Sequence, residues 1–363
     1  MTRLWRAFKR KIKWVLAKWN KEGPQRNISI EQERLMSEGK VGAWRMMLSK
    51  EYEDALSKTD WLSAPSMFNY RSKLVSGKDE SDGGGWEYYA NDRHLIPLLE
   101  HRIEEDSNAF AAQTTEKGLS MLSVGCGDGR IEEHLLNCGW PIGQLVGLEY
   151  DTELLRKASD RFSNKGKCQA VFKHFDFNKS DVHFGQFDIV FFCHSMHHCT
   201  NIEDLLKFIN ISLKPNGLII GLDYFGPTRF QVEPEILEIV EELFSYLPPQ
   251  LRVNLASSDL HVDEEFIRPT IKDVVGFDPS EAARSSDLRT LLFSTFPIID
   301  IKPMGGTIFR WLLKDRAGNF RGDEEFHMCI IKLLQFIERK LIETKNIRSD
   351  DLFFVLGPCK RLH

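Results

Sequence analysis

The chain is 363 residues long, with 42% hydrophobic and 28% charged residues, 25 glycines and 14 prolines. Those proportions exclude a wholly disordered, collagen-like or coiled-coil chain, and no apolar run approaches the roughly 20 residues that a membrane span requires. The net charge of −5 is unevenly placed: residues 1–21 hold eight Lys and Arg and no acid, which leaves the remainder acidic and argues against a nucleic-acid surface spread over the fold.

In residues 1–21, Leu4, Trp5, Phe8, Ile12, Val15, Leu16 and Trp19 recur at helical spacing, with Arg3, Arg6, Lys9, Arg10, Lys13 and Lys21 largely opposite. This predicts a basic amphipathic helix, suited either to an anionic membrane surface or to packing on a folded domain or partner. Lys9, Arg10, Lys11 and Lys13 interrupt the apolar centre that a secretory signal needs. Gly23-Pro24 ends the helix, and residues 22–85 read as a helical extension closing on the charged, glycine-rich loop at 76–85. Seven cysteines, odd in number and without a CxxC pair, read as reduced thiols of a cytosolic protein, with attachment to the inner face of the cell membrane left open by the first helix.

The third segment, residues 86–363, carries the chemistry. An apolar strand from Leu119 runs into Gly125, Cys126, Gly127, Asp128 and Gly129 and then a helix, so the glycines allow positive φ and backbone N–H groups approach a ligand beside a helix amino terminus. Arg130 stands where a dinucleotide fingerprint needs its third glycine, which disfavours hydride transfer. Further strands are predicted at Leu145–Leu148 ending in Glu149, at Ala170–His174 ending near Asp176, at Phe187–Phe192, and, after a Lys214–Gly217 turn, at Leu218–Leu222. Strands alternating with helices imply a parallel sheet with its ligand at the carboxyl ends.

These motifs, in this order, resemble the class I S-adenosylmethionine-dependent methyltransferases. The resemblance covers residues 118–224, and more loosely strands at Ile298–Pro303 and Leu352–Leu356. It implies a Rossmann-like α/β fold: a seven-stranded, mostly parallel sheet with helices on both faces, an N-terminal helical extension and a cap inserted at about 225–277. It also implies S-adenosylmethionine as cofactor, held on its methionine side by Gly125, Cys126, Gly127 and Gly129, at its ribose by Glu149, and at its adenine by Asp176, with Phe177 and His194 beside it. LDYFGPTRFQ, DPSEAARSS, MGGTIFRWLL and AGNF are similar to bacterial methyltransferases that accompany glycosyltransferases in surface-polysaccharide assembly, which implies O-methylation of a glycan hydroxyl. A nucleic-acid, protein or other small-molecule acceptor, or a non-catalytic cofactor-binding scaffold, are the alternatives. The Cys193–Met196 run departs from the motif of base amino-group methyltransferases, which disfavours nucleic acid.

A hydroxyl acceptor benefits from a general base near the methyl group. His197 is the expected base, with Asp223 as an alternative base or orienter, while His198, Tyr224, Arg229 and Gln231 are expected to bind the acceptor. Arg268 and Arg284 are further candidates for an anionic group. Cys193, His194, His198 and Cys199 carry donor atoms but lack the paired spacing of structural sites, so no metal is expected.

Overall fold

The computed structural model describes residues 118–137, 140–163, 168–179, 182–254, 261–316, 319–320 and 325–359. The amphipathic helix expected over 1–21 and the extension and loop over 22–85 lie outside them. No helix among the described residues is long and apolar enough to cross a membrane.

Seven strands, β1 (Leu119–Val124), β2 (Ile142–Glu149), β3 (Gln169–His174), β4 (Phe187–Cys193), β5 (Leu213–Tyr224), β6 (Ile298–Gly305) and β7 (Asp351–Leu356), form one sheet. Their order is β3-β2-β1-β4-β5-β7-β6. The β3/β2, β2/β1, β1/β4 and β4/β5 pairs are parallel, whereas β7 runs antiparallel to both β5 and β6. The helices among the described residues are α1 (Arg130–Asn137), α2 (Thr152–Phe162), α3 (Ile202–Ser212), α4 (Pro234–Tyr246), α5 (Ile271–Phe277), α6 (Ser285–Thr295), α7 (Phe309–Leu313) and α8 (Glu325–Glu343).

Every residue of β1 and β7 is buried, as expected of strands covered on both faces. Leu135 of α1 and Phe162 of α2 pack with Met121, Leu145, Ile189 and Ile220 on one face. Leu205 and Phe208 of α3 and Leu288 and Leu292 of α6 pack with Leu122, Val190 and Ile219 on the other. From β1 the chain winds outward through β2 to β3, then returns to β1's other side as β4. The crevice between β1 and β4 is therefore the switch point of the winding, outside whose carboxyl ends ligands bind in open α/β sheets.

Two local features differ from expectation or extend it. Lys214–Gly217 is not a separate turn: β5 begins at Leu213, and the four residues are absorbed as an irregularity where the register to β4 shifts between Phe187 and Ile189. After β5, Phe230, Ile236 and Phe244 join Ile308, Trp311 and Leu312 around α7 and Ile330 and Leu334 of α8 in a separate apolar cluster. Glu338 of α8 fastens the connection between β6 and α7 by accepting N–H groups from Thr307, Ile308 and Phe309 at 2.9, 2.6 and 3.0 Å.

Candidate active site

The strand-to-helix loop at the end of β1 is shaped by three glycines with φ of 75°, 55° and 76° at Gly125, Gly127 and Gly129, a region that other residues enter only with strain. At Gly125 a Cβ would lie 2.4 Å from the Ser195 Cβ, so the loop touches the segment after β4. At Gly127 a Cβ would meet nothing within 4 Å, so the backbone there borders open space. The Gly127 N–H donates to Glu149 Oε2 at 2.8 Å across the ends of β1 and β2, while Glu149 Oε1 accepts from Tyr150 and Asp151 at 2.8 and 2.9 Å. A carboxylate offers about four lone-pair sites and three N–H groups already use three of them, so Glu149 keeps one acceptor position for a hydroxyl. Tyr150, beside it, is 65% exposed and offers an open aromatic face.

The end of β3 supplies Asp176, whose Oδ1 accepts the Asn178 N–H at 3.0 Å and whose Oδ2 pairs with Lys179 at 3.3 Å. Phe177 is half-buried and packs against the sheet core. His194 turns the chain off β4 with φ of 49°, its N–H held by the Leu222 carbonyl at 2.8 Å.

A short 3-10 turn at Met196–His198 follows, and its sharpness has a visible cause. The fully buried Asp223 carboxylate accepts the backbone N–H groups of Ser195 and Met196 at 2.9 and 2.7 Å on Oδ2, and that of Tyr224 at 2.8 Å on Oδ1. Its Oδ1 also contacts His197 Nδ1 at 2.6 Å. The other ring nitrogen, His197 Nε2, faces Glu281 Oε1 at 3.2 Å. Burial alone would lower the His197 pKa, but the Asp223 charge and hydrogen bond, joined by Glu281, outweigh it and push it up to about 10. Burial would likewise raise Asp223, yet the His197 charge and hydrogen bond hold it down at about 2.

Residues 122–219 match the family model of a methyltransferase domain. By that match, residues 122–219 are a methyltransferase domain. Three relatives agree at low identity. A sterol 4-C-methyltransferase of Caenorhabditis elegans is 25% identical over 181 residues, covering 47% of this chain and 50% of its own. A malonyl-acyl-carrier-protein O-methyltransferase of Ilyobacter polytropus is 23% identical, covering 43% and 56%. A ubiquinone/menaquinone biosynthesis C-methyltransferase of Ectopseudomonas mendocina is 25% identical, covering 44% and 66%. The chain thus spans about half to two thirds of the length of these relatives.

Within the matched residues, those expected for the cofactor sit together along the ends of β1 to β4, and their chemistry fits S-adenosylmethionine: a glycine backbone bordering open space, a carboxylate with an acceptor position left for a hydroxyl, and a second strand-end carboxylate. The side chain of Cys126 is buried and takes a structural place in the loop. The Cys126 N–H is held by the Leu148 carbonyl at 3.0 Å, and the Gly125 N–H shares that carbonyl partner at 2.8 Å.

The expected acid-base pair departs from expectation. His197 presents no free basic nitrogen, because both ring nitrogens face carboxylates, and every oxygen of Asp223 is engaged; together they fix the turn after β4. On the acceptor side, Arg229 donates to the Pro279 and Glu281 carbonyls at 2.6 and 3.1 Å, Gln231 to the Arg229 and Pro269 carbonyls, and the Tyr224 hydroxyl to the Pro227 carbonyl. These groups tie residues 224–231 to one another and to residues 269–281 rather than standing ready for a polar acceptor. Arg284 is paired with Glu203 and Asp287. His198 is half-exposed, with Nδ1 2.9 Å from Ser280 Oγ.

Sequence reasoning missed Tyr150 and Glu281. Tyr150 adjoins Glu149 and was signalled by an aromatic at a strand end. Glu281 approaches His197 from the α5–α6 connection, and no local pattern announces it.

Proposed function

We propose that this chain is an S-adenosylmethionine-dependent methyltransferase whose acceptor is an apolar small molecule brought over the carboxyl ends of β4 and β5. The observation that carries the first part is Gly127, with its backbone on open space and its N–H on the Glu149 carboxylate. Gly125, Gly127 and Gly129 would hold the methionine part of the cofactor, Glu149 the ribose, and Asp176, with Phe177, the adenine. Bound there, the cofactor supplies a methyl group on a sulfonium, poised for in-line displacement. The chain's own contribution is to orient: Asp223 and His197 fix the turn after β4 that borders the cofactor loop through Ser195.

The acceptor reading rests on the commitment of Arg229, Gln231 and Tyr224 to internal carbonyls, which removes the polar contacts that a glycan hydroxyl was expected to meet. The names of two relatives, which pair methyl transfer with a sterol and with quinone biosynthesis, support it. So do the exposed Ile267, Ile271 and Val275 on and before α5.

The test is transfer of labelled methyl from S-adenosylmethionine to a cell extract fractionated into lipid, glycan, small polar metabolite, nucleic acid and protein. Label in the lipid or apolar-metabolite fraction is expected. Label in glycan, nucleic acid or protein would overturn the acceptor assignment, and cofactor binding without label in any fraction would favour a non-catalytic domain.

A further inference from the structure

We propose that His197, His198 and Glu281 form a binding site for a divalent cation of the zinc or iron(II) type. One donor atom from each of the three lies within 4.8 Å of the other two. The 3.2 Å between His197 Nε2 and Glu281 Oε1 is close to the roughly 3.3 Å that separates two ligand atoms around a tetrahedral zinc ion with bonds of about 2.0–2.1 Å.

The surroundings of each donor are those of a prepared ligand. Metal-bound histidines commonly give their second nitrogen to a carboxylate or other acceptor, which fixes the ring and its tautomer. His197 does this with Asp223 at 2.6 Å. For His198 the tautomer follows from a chain of bonds. Ser280 Oγ donates its one proton to Asp278 Oδ1 at 2.6 Å, so toward His198 Nδ1 at 2.9 Å it can only accept, which leaves the lone pair on Nε2.

Glu281 supplies the independent observation. The residue is 6% exposed, and its Oε1 is buried without a hydrogen bond, because the His197 ring lies out of line for one. In the ion-free site the neighbour of that oxygen is the Nε2 proton of His197, and a divalent cation would take the proton's place, satisfying Glu281 Oε1 and using the Nε2 lone pair. Two imidazoles with one carboxylate suit zinc or iron(II) better than magnesium or calcium, and three protein ligands leave a coordination position for water or a substrate atom. His198 and Asp278, both half-exposed, border the way in. The site lies at the carboxyl ends of β4 and β5, on the side where the acceptor is proposed to arrive, so a bound ion would stand ready to hold an acceptor oxygen.

The probe is Co²⁺ added to the full chain after treatment with a chelator and dialysis. The expected result is one equivalent bound, with visible absorption bands that aqueous Co²⁺ lacks and that Zn²⁺ abolishes. His198→Ala and Glu281→Gln should each weaken binding at least 100-fold, and Ser280→Ala by about 10-fold, since removing an outer partner of a ligand typically has that order of effect. Absence of the bands, or bands that survive both ligand variants, would overturn the site. Should either ligand variant fail to fold by circular dichroism, Ser280→Ala decides: unchanged affinity overturns the proposal. The absorption is read without turnover, so its outcome is independent of whether methyl transfer occurs.

Discussion

Gly125 and Ser195 are in contact so close that a Cβ on the glycine would fall 2.4 Å from the serine's own, although β1 and β4 deliver them from opposite sides of the ligand crevice. Ser195 also donates its hydroxyl to the Val124 carbonyl at 2.7 Å and its N–H to Asp223. Gly127, two residues on, has no such neighbour.

The two glycines therefore respond differently to the same change. Gly125→Ala should lower the thermal midpoint by several degrees, through positive φ and the collision with Ser195 together. Gly127→Ala should fold with about 1 kcal/mol of backbone strain and bind S-adenosylmethionine at least tenfold more weakly. Melting curves and calorimetric titration of both variants check this; equal cofactor affinity for Gly127→Ala and the parent would remove Gly127 from the binding loop.

Glu149→Gln keeps the size of the side chain but loses the charge that accepts hydrogen bonds. A hydrogen bond to a charged group contributes about 1.5–3 kcal/mol, so affinity for S-adenosylmethionine should fall about 10- to 100-fold. Isothermal titration reads this directly. Affinity within twofold of the parent would mean that the ribose is held elsewhere.

Asp223→Asn breaks a buried charge pair on one side only. The variant should lose about 3–5 kcal/mol of unfolding free energy in urea denaturation, because His197 then remains among buried groups beside a neutral partner. An unchanged midpoint would show that the turn after β4 does not depend on the charge.

Glu132, buried under the cofactor loop, provides a pH dependence. Burial raises its pKa, the Ser123 hydroxyl at 2.5 Å only partly offsets this, and the carboxyl sits at about 7 against an ordinary 4.5. The folded chain thus binds this proton more tightly than the unfolded chain does. The associated stability is fully present below pH 4.5 and is lost as the pH rises through about 7. Glu132→Gln should remove that slope and exceed the parent's stability at pH 8 by about 2–3 kcal/mol. Urea denaturation at pH 4.5 and pH 8 measures the difference, and parallel pH profiles for the two proteins would count against the assignment.

The central sheet was legible because β1, β4 and β7 are short apolar runs, and because Gly125–Gly129, Glu149 and Asp176 keep the spacing of successive strand ends. The ends of elements were less so: Lys214–Gly217 reads locally as a turn, yet pairing with β4 continues on either side of it. Roles that depend on distant partners were not legible at all. Arg229 and Gln231 are polar residues in a loop, and only folding brings the carbonyls of Pro269, Pro279 and Glu281 to them. His197 reads as a free base until Glu281, from the α5–α6 connection, closes on its second nitrogen.

The Ser195 bridge ties the two halves of the crevice into one mechanical unit. A ligand that draws the glycine loop outward pulls on Ser195, and Ser195 hangs from the same carboxylate that fixes the His197 ring. One serine thus joins three pieces of chain, the glycine loop through Val124, the end of β5 through Asp223, and the turn that carries His197.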